Sequence, residues 1–248
     1  MNSRSGLSRN TSDDQTAPVP PSTISLEFSD KYDAAHAQQY YLKHQESLSR
    51  RLSHRRDCQL ARFALKKAGN PLSVLDLPCG AGRFWKLLAE NPERKIYAAD
   101  NSSDMLQVAL NSQPPEISRK ISAFQTSAFD IDMPDSAVDC IFSMRLMHHV
   151  AESEHRLAML REFHRVCRET VILNLWVDGN FKARKRKRLE QRRVERYGRQ
   201  ANNNRFVIPS PQIEAEFKQA GFSIIGKMDF LPRYSMWRIY VLRKGQEQ

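Results

Sequence analysis

Residues 73–88 read SVLDLPCGAGRFWKLL, and a short connection later residues 95–100 read KIYAAD. An apolar pair, Val74 and Leu75, ends in Asp76. The chain then turns through Gly80 and Gly82 and enters an apolar-rich segment, Phe84, Trp85, Leu87 and Leu88, whose pattern predicts a helix. The order is therefore strand, glycine turn, helix. Glycines in such a turn let the backbone approach a ligand closely and present helix N-terminal N–H groups to it. Asp100, closing the next predicted strand, is placed to accept from both hydroxyls of a ribose.

In this order of parts the chain resembles the class I S-adenosylmethionine-dependent methyltransferases. Their first motif reads as an acidic residue followed by Gly-Cys-Gly-x-Gly, and Asp76, Cys79, Gly80 and Gly82 match it. Pro78 stands in place of the first glycine and fixes φ at about −65°, which the turn must accommodate. A dinucleotide-binding reading is disfavoured, because Phe84 and Trp85 stand where the third glycine of G-x-G-x-x-G belongs. The resemblance implies a three-layer, Rossmann-like α/β fold with a mostly parallel seven-stranded sheet and an antiparallel last strand. It further implies S-adenosylmethionine as cofactor, with contacts from Asp76, Pro78, Gly80, Gly82, Asp100, Asn101, Met105, Ala128, Phe129 and Ser143.

The 248 residues, 40% of them hydrophobic, suffice for one sizeable core, and a single domain over 25–248 is expected. Cys58, Cys79, Cys140 and Cys167 show neither CxxC spacing nor paired histidines, so they indicate no zinc site and no disulfide framework. No apolar run approaches the roughly 20 residues that span a bilayer, and a cytoplasmic location is expected. The net charge of +11 favours anionic partners without choosing among them.

Residues 1–24, rich in Ser, Asn, Asp, Thr and Pro, predict a disordered leader. Arg4 and Arg9 among serines fit a transit peptide, but Asp13 and Asp14 argue against one. Residues 25–70 predict an aromatic and helical prelude with a long helix over 42–68. In the resembled family such a prelude closes over the substrate, which makes Tyr32, Tyr40 and Tyr41 lid or pocket candidates beside the alternative of packing on the sheet edge. Arg50, Arg51, Arg55 and Arg56 read as a solvated face. Gly69-Asn70-Pro71 predicts the stop of that helix.

Further along, Ser102 or Ser103 is a cap for a helix through Met105, Leu106, Val108 and Ala109. Residues 121–126 read as a third strand, and 127–130 lie at its carboxyl end, where open α/β sheets bind ligands. The resemblance makes Ala128 and Phe129 the adenine wall, with Ser127 and Asp130 as alternatives for an acidic or polar adenine contact. Residues 138–144 read as a buried strand leading into 145–150, RLMHHV, similar to the Ser-x-x-Leu-x-His-His segment of small-molecule methyltransferases of the ubiquinone and menaquinone type. Ser143 and Met144 would then touch the methionine part of the cofactor. His148, His149 and Asp178 are candidate bases, although the default reading of each histidine is a residue that hydrogen-bonds and locks the loop. The Asp/Asn-Pro-Pro-Tyr/Phe signature of nitrogen-directed nucleic-acid enzymes is absent: residues 143–146 read SMRL.

An amphipathic helix over 152–168, a strand over 170–176, a helix over 212–220 and two strands over 222–228 and 236–243 complete the pattern. Within 178–208 lies a basic helical insertion: residues 181–199, FKARKRKRLEQRRVERYGR, oppose ten Lys or Arg to Glu190 and Glu195, with a poor apolar stripe of Phe181, Leu189, Val194 and Tyr197. A solvated helix, RNA phosphate and a phospholipid or lipopolysaccharide surface are its candidate explanations. Methyl transfer needs positioning and water exclusion rather than a universal catalytic residue, so no catalytic residue is assigned. The expected activity is methyl transfer to an anionic small-molecule or lipid-linked acceptor. RNA methylation and a catalytically silent binding module are the alternatives.

Overall fold

The computed structural model describes residue 24 and residues 48–198 and 204–245. The expected leader, apart from Ile24, and the aromatic prelude with Tyr32, Tyr40 and Tyr41 lie outside the described residues.

The first described helix, α1 (Leu48–Lys67), buries Leu60, Ala61, Ala64 and Leu65 on one side and exposes Arg50, Arg51 and Arg55 on the other. It stops as predicted: Gly69 and Asn70 both take positive φ, and the Asn70 N–H reaches back to the Leu65 carbonyl at 2.8 Å. Strands β1 (Ser73–Asp76), β2 (Lys95–Asp100), β3 (Ile121–Gln125), β4 (Val138–Ser143) and β5 (Cys167–Val177) then form a parallel sheet. Between them run α2 (Trp85–Leu88), α3 (Ser103–Ser112), α4 (Pro115–Ser118) and α5 (Ser153–Val166). After β5 come α6 (Phe181–Tyr197), β6 (Val207–Ile208), α7 (Ser210–Gln219), β7 (Phe222–Asp229) and β8 (Trp237–Lys244).

The strand order is β3-β2-β1-β4-β5-β8-β7, and β8 runs antiparallel between β5 and β7. The order reverses between β1 and β4, the position at which such sheets bind ligands beyond the strand carboxyl ends. Among the described residues the sheet has the seven strands of that order, and the two-residue β6 is an eighth beside β5. β5 outruns β4, whose last residue Ser143 pairs with Leu173, and β6 covers the exposed end by pairing with Trp176 and Val177. α2 is a single turn and matches the apolar segment at 84–88 that the sequence marks as helical. Pro92 disfavours helical backbone at Asn91, and β2 begins at Lys95.

The core has two main faces, and β5 shows why. Val171, Leu173 and Leu175 point to a cluster built with Leu160 and Phe163 of α5 and Phe217 of α7, whereas Ile172 points to one built with Leu60, Ala64, Leu87 and Val241. α5 and α7 are also tied by charge. Arg156 donates from Nε and Nη2 to the two oxygens of Glu216 at 2.7 and 2.6 Å, and Ser153 adds a third bond at 2.7 Å. Among the described residues no helix is long and apolar enough to cross a membrane.

Candidate functional site

A cavity of about 340 Å³ opens beyond the carboxyl ends of β1, β2 and β4. Its floor is the glycine turn. The Leu77–Pro78 peptide bond is cis, and Gly80 sits at φ +53°. The Gly80 N–H donates to Asp100 Oδ2 at 2.9 Å, and the Ser102 N–H donates to Asp100 Oδ1 at 3.1 Å. Burial raises the Asp100 pKa above the usual carboxylate value, with these amide donors opposing the rise. A carboxylate offers about four acceptor sites, so the backbone amides aim the group while leaving acceptor capacity for a further donor. Gly82, at φ +69°, allows the turn to close on the helix: a Cβ there would lie 2.8 Å from Trp85 Cδ2.

Asp76 lies beneath this floor rather than in its wall. Both of its oxygens are buried, and neither makes a hydrogen bond of normal geometry. Burial first, and the Asp100 charge second, push its carboxyl well above the ordinary range, and the Trp85 indole offsets this only in part.

One end of the cavity is formed by Thr126, Ser127, Ala128 and Phe129. Ser127 Oγ accepts from the Phe129 N–H at 3.1 Å, and Thr126 Oγ1 donates to the Asp130 carbonyl at 2.9 Å, so the loop is held by its own short polar side chains. Of the two alternatives for the adenine contact, Ser127 lines the cavity and Asp130 is turned to solvent.

The other end is cationic and aromatic. Arg145 has φ +69°, a costly backbone state for a residue with a side chain. Two bonds hold it there: its N–H donates to Asn174 Oδ1 at 2.6 Å, and its guanidinium donates to Asp57 Oδ2 at 2.8 Å. The same Asp57 oxygen accepts from Arg83 at 2.6 Å. Arg145 also lies 5.0 Å over the Trp237 ring, and its Nε is buried without a partner. His148 packs among His149, Trp176 and Trp237, with ring centroids 4.1, 5.1 and 4.7 Å away. Burial drives the His148 pKa well below its usual value, with the His149 ring and neighbouring arginines adding to the effect. His149 donates its Nδ1 proton to the Asn204 carbonyl, yet burial still brings its pKa down to about 4.

Seven of the ten residues expected at the cofactor, namely Pro78, Gly80, Asp100, Asn101, Met105, Ala128 and Phe129, line this one cavity. The other three, Asp76, Gly82 and Ser143, do not line it. Among the candidate bases, His148 and His149 line it; Asp178 does not, because its Oδ1 accepts from the Ser210 N–H and hydroxyl at 2.9 and 3.2 Å. Sequence reading assigned no role to Asp57, Arg83, Arg145, Arg205 or Trp237. Asp57 did carry a signal, as the single acidic residue in the twenty of α1. Trp237, brought in from the last strand, carried none.

A methyltransferase domain family matches residues 74–170, the span from β1 into β5. Residues 74–170 carry a methyltransferase domain. The chain is also similar to two curated tRNA (carboxymethyluridine(34)-5-O)-methyltransferases. The one from Xenopus tropicalis is 26% identical over 121 residues, covering 48% of this chain and 18% of the relative. The one from Macaca fascicularis is 27% identical over 95 residues, covering 38% of this chain and 13% of the relative. The matches thus span less than a fifth of the curated relatives' length. Among solved structures, magnesium protoporphyrin IX methyltransferase from Synechocystis PCC 6803, crystallised with bound SAH, superposes with a TM-score of 0.70 at 15% identity over 88% of this chain and 98% of that one. The methyltransferase domain therefore shares that protein's fold.

The methyl donor of this family is S-adenosylmethionine, and the cavity fits it. Asp100 keeps acceptor capacity for the ribose, the glycine turn leaves backbone room for close approach, and Ala128 and Phe129 offer an apolar wall to a flat base.

Proposed function

We propose that the protein transfers the methyl group of S-adenosylmethionine to an anionic small-molecule or lipid-linked acceptor. One observation carries the acceptor class: two guanidiniums, Arg83 and Arg145, share a single oxygen of Asp57, so the acceptor end of the cavity holds more positive than negative charge. Arg205 on the same wall adds to the excess. The Ser143 to His149 segment, similar to that of small-molecule methyltransferases, supports the same reading.

Bound S-adenosylmethionine supplies a sulfonium methyl group, with the bonding pair retained on sulfur as the methyl leaves. The chain's own residues position and enclose. Asp100 accepts the ribose hydroxyls, Ala128 and Phe129 flank the adenine, and Pro78 and Met105 close the floor. Arg145 and Trp237 orient the acceptor's charge and its flat part. His148 and His149 are held neutral at physiological pH and so can receive an acceptor proton. Their depressed basicity makes that a minor contribution beside orientation and water exclusion.

Incubation with methyl-labelled S-adenosylmethionine and fractionated cell extract tests the reading. Label in an acidic small molecule or a lipid fraction is expected, and label in RNA alone overturns it. Methylation of RNA is the second reading, favoured by the two tRNA methyltransferases similar to this chain. Failure of S-adenosylmethionine to bind in calorimetry would leave a binding module of methyltransferase fold.

A further inference from the structure

Helix α6 is held to the body along one side. Ala183 is buried there, and Arg186 lies 5.0 Å over the Trp176 ring while donating to the Arg205 carbonyl at 3.0 Å. Lys182, Lys185, Arg188, Arg192 and Arg193 face solvent, and over the whole helix nine Lys or Arg oppose Glu190 and Glu195. Such a helix repels itself and calls for an anionic counterpart.

A second feature lies at its first turn. The Phe181 ring stacks on Tyr234 with centroids 5.7 Å apart and planes 8° from parallel, and Lys182 Nζ stands 5.4 Å from the Tyr234 centroid. Backbone bonds from Phe181 N–H to the Arg233 carbonyl at 2.9 Å and from Lys182 N–H to the Tyr234 carbonyl at 3.1 Å join the helix start to the β7–β8 turn. On this joined surface Phe181, Leu231 and Tyr234 are 55%, 46% and 47% exposed. An apolar group of this kind, ringed by cations, gains nothing from water.

We infer that this face docks on an anionic phospholipid bilayer, with Phe181, Leu231 and Tyr234 entering the headgroup layer and the α6 cations lying along it. Aromatic rings with a polar tip or edge settle at that depth. A basic residue near an anionic surface is worth about fivefold in partitioning, about 1 kcal/mol. Neither signal holds a protein on a membrane alone, and the two together do. RNA would satisfy the cations but would leave Leu231 without a partner. Phe181 and Tyr234 also cover one face of each other, which reduces them as platforms for bases. The surface is separate from the cavity, so docking and methyl transfer fail independently.

Flotation of the full chain with phosphatidylcholine vesicles, with or without phosphatidylglycerol, tests the inference. Binding only to the anionic vesicles, falling as salt rises, is expected. The triple variant Lys185→Glu, Arg188→Glu, Arg192→Glu should weaken binding at least about 100-fold. The double variant Phe181→Ser, Leu231→Ser should weaken it about tenfold and leave the salt slope unchanged. Hydrogen exchange on the unaltered protein supplies a readout independent of variant folding: added anionic vesicles should slow exchange at 181–185 and 231–235. Absence of vesicle binding, binding indifferent to the Phe181 and Leu231 change, or displacement by an RNA oligonucleotide of equal charge would overturn the inference.

Discussion

Asp57 and Arg145 meet through a 2.8 Å bond between a helix outside the family-matched segment and the loop after β4. Because Asp57 Oδ2 also receives Arg83 at 2.6 Å, one carboxylate fastens α1 to both the glycine-turn wall and the cationic wall formed by Arg145. The Asp57 side chain is 5% exposed, and its partners are 15% and 27% exposed, so this pairing is largely shielded from solvent. Asp57→Ala leaves two guanidiniums facing each other without their counter-ion. Denaturant unfolding should show a loss of about 2 kcal/mol, below the range for fully buried pairs. A midpoint unchanged from wild type would show that α1 is held by its apolar face alone.

Asp100→Ala should weaken S-adenosylmethionine binding at least tenfold, about 1.4 kcal/mol, measured by calorimetry. Equal affinity in the variant would place the ribose contact on another residue.

Gly82→Ala and Gly179→Ala separate strain from crowding. Both positions have positive φ, but a Cβ at Gly82 meets Trp85 at 2.8 Å while one at Gly179 meets open space. Urea unfolding should show about 1 kcal/mol lost at Gly179 and about 3 kcal/mol at Gly82. Equal losses would mean that Trp85 moves aside at no cost.

Burial alone would raise the Glu216 pKa, but hydrogen bonds from Arg156 and Ser153 outweigh it and hold the carboxyl below its ordinary value. A depressed folded pKa means that the pair's stabilisation is fully present above the unfolded glutamate value, about 4.3, and is lost as pH falls through the folded one. The stability gap between wild type and Glu216→Gln should therefore be constant near neutrality and shrink below about pH 4. A gap that widened on acidification would reverse this assignment.

Methyl transfer should show no inflection near pH 6.5 from either cavity histidine, because burial keeps His149 at about 4 and His148 well below its usual value. Initial rates with labelled donor across pH 5.5 to 8 provide the measurement, and a step centred at about 6.5, the unperturbed imidazole value, would show one of them solvated in the working enzyme.

Local chemistry determined much of this protein from sequence alone. The strands, the stop at Gly69, the Ser102 cap and the glycine turn each depend on residues close together in the chain, and the carboxylate at Asp100 sits at a fixed offset from that turn. The tertiary structure alone decided the cationic, aromatic end of the cavity. Asp57, Arg83, Arg145, Arg205 and Trp237 come from α1, the β1 turn, the β4 loop, the segment before β6 and β8, and no spacing rule connects them. Their meeting follows from strand order, since placing β4 and β8 on either side of β5 carries distant segments to one edge of the sheet. The short β6 has the same origin: two residues without a strong pattern became a strand because β5 extends past β4 and its backbone groups require partners.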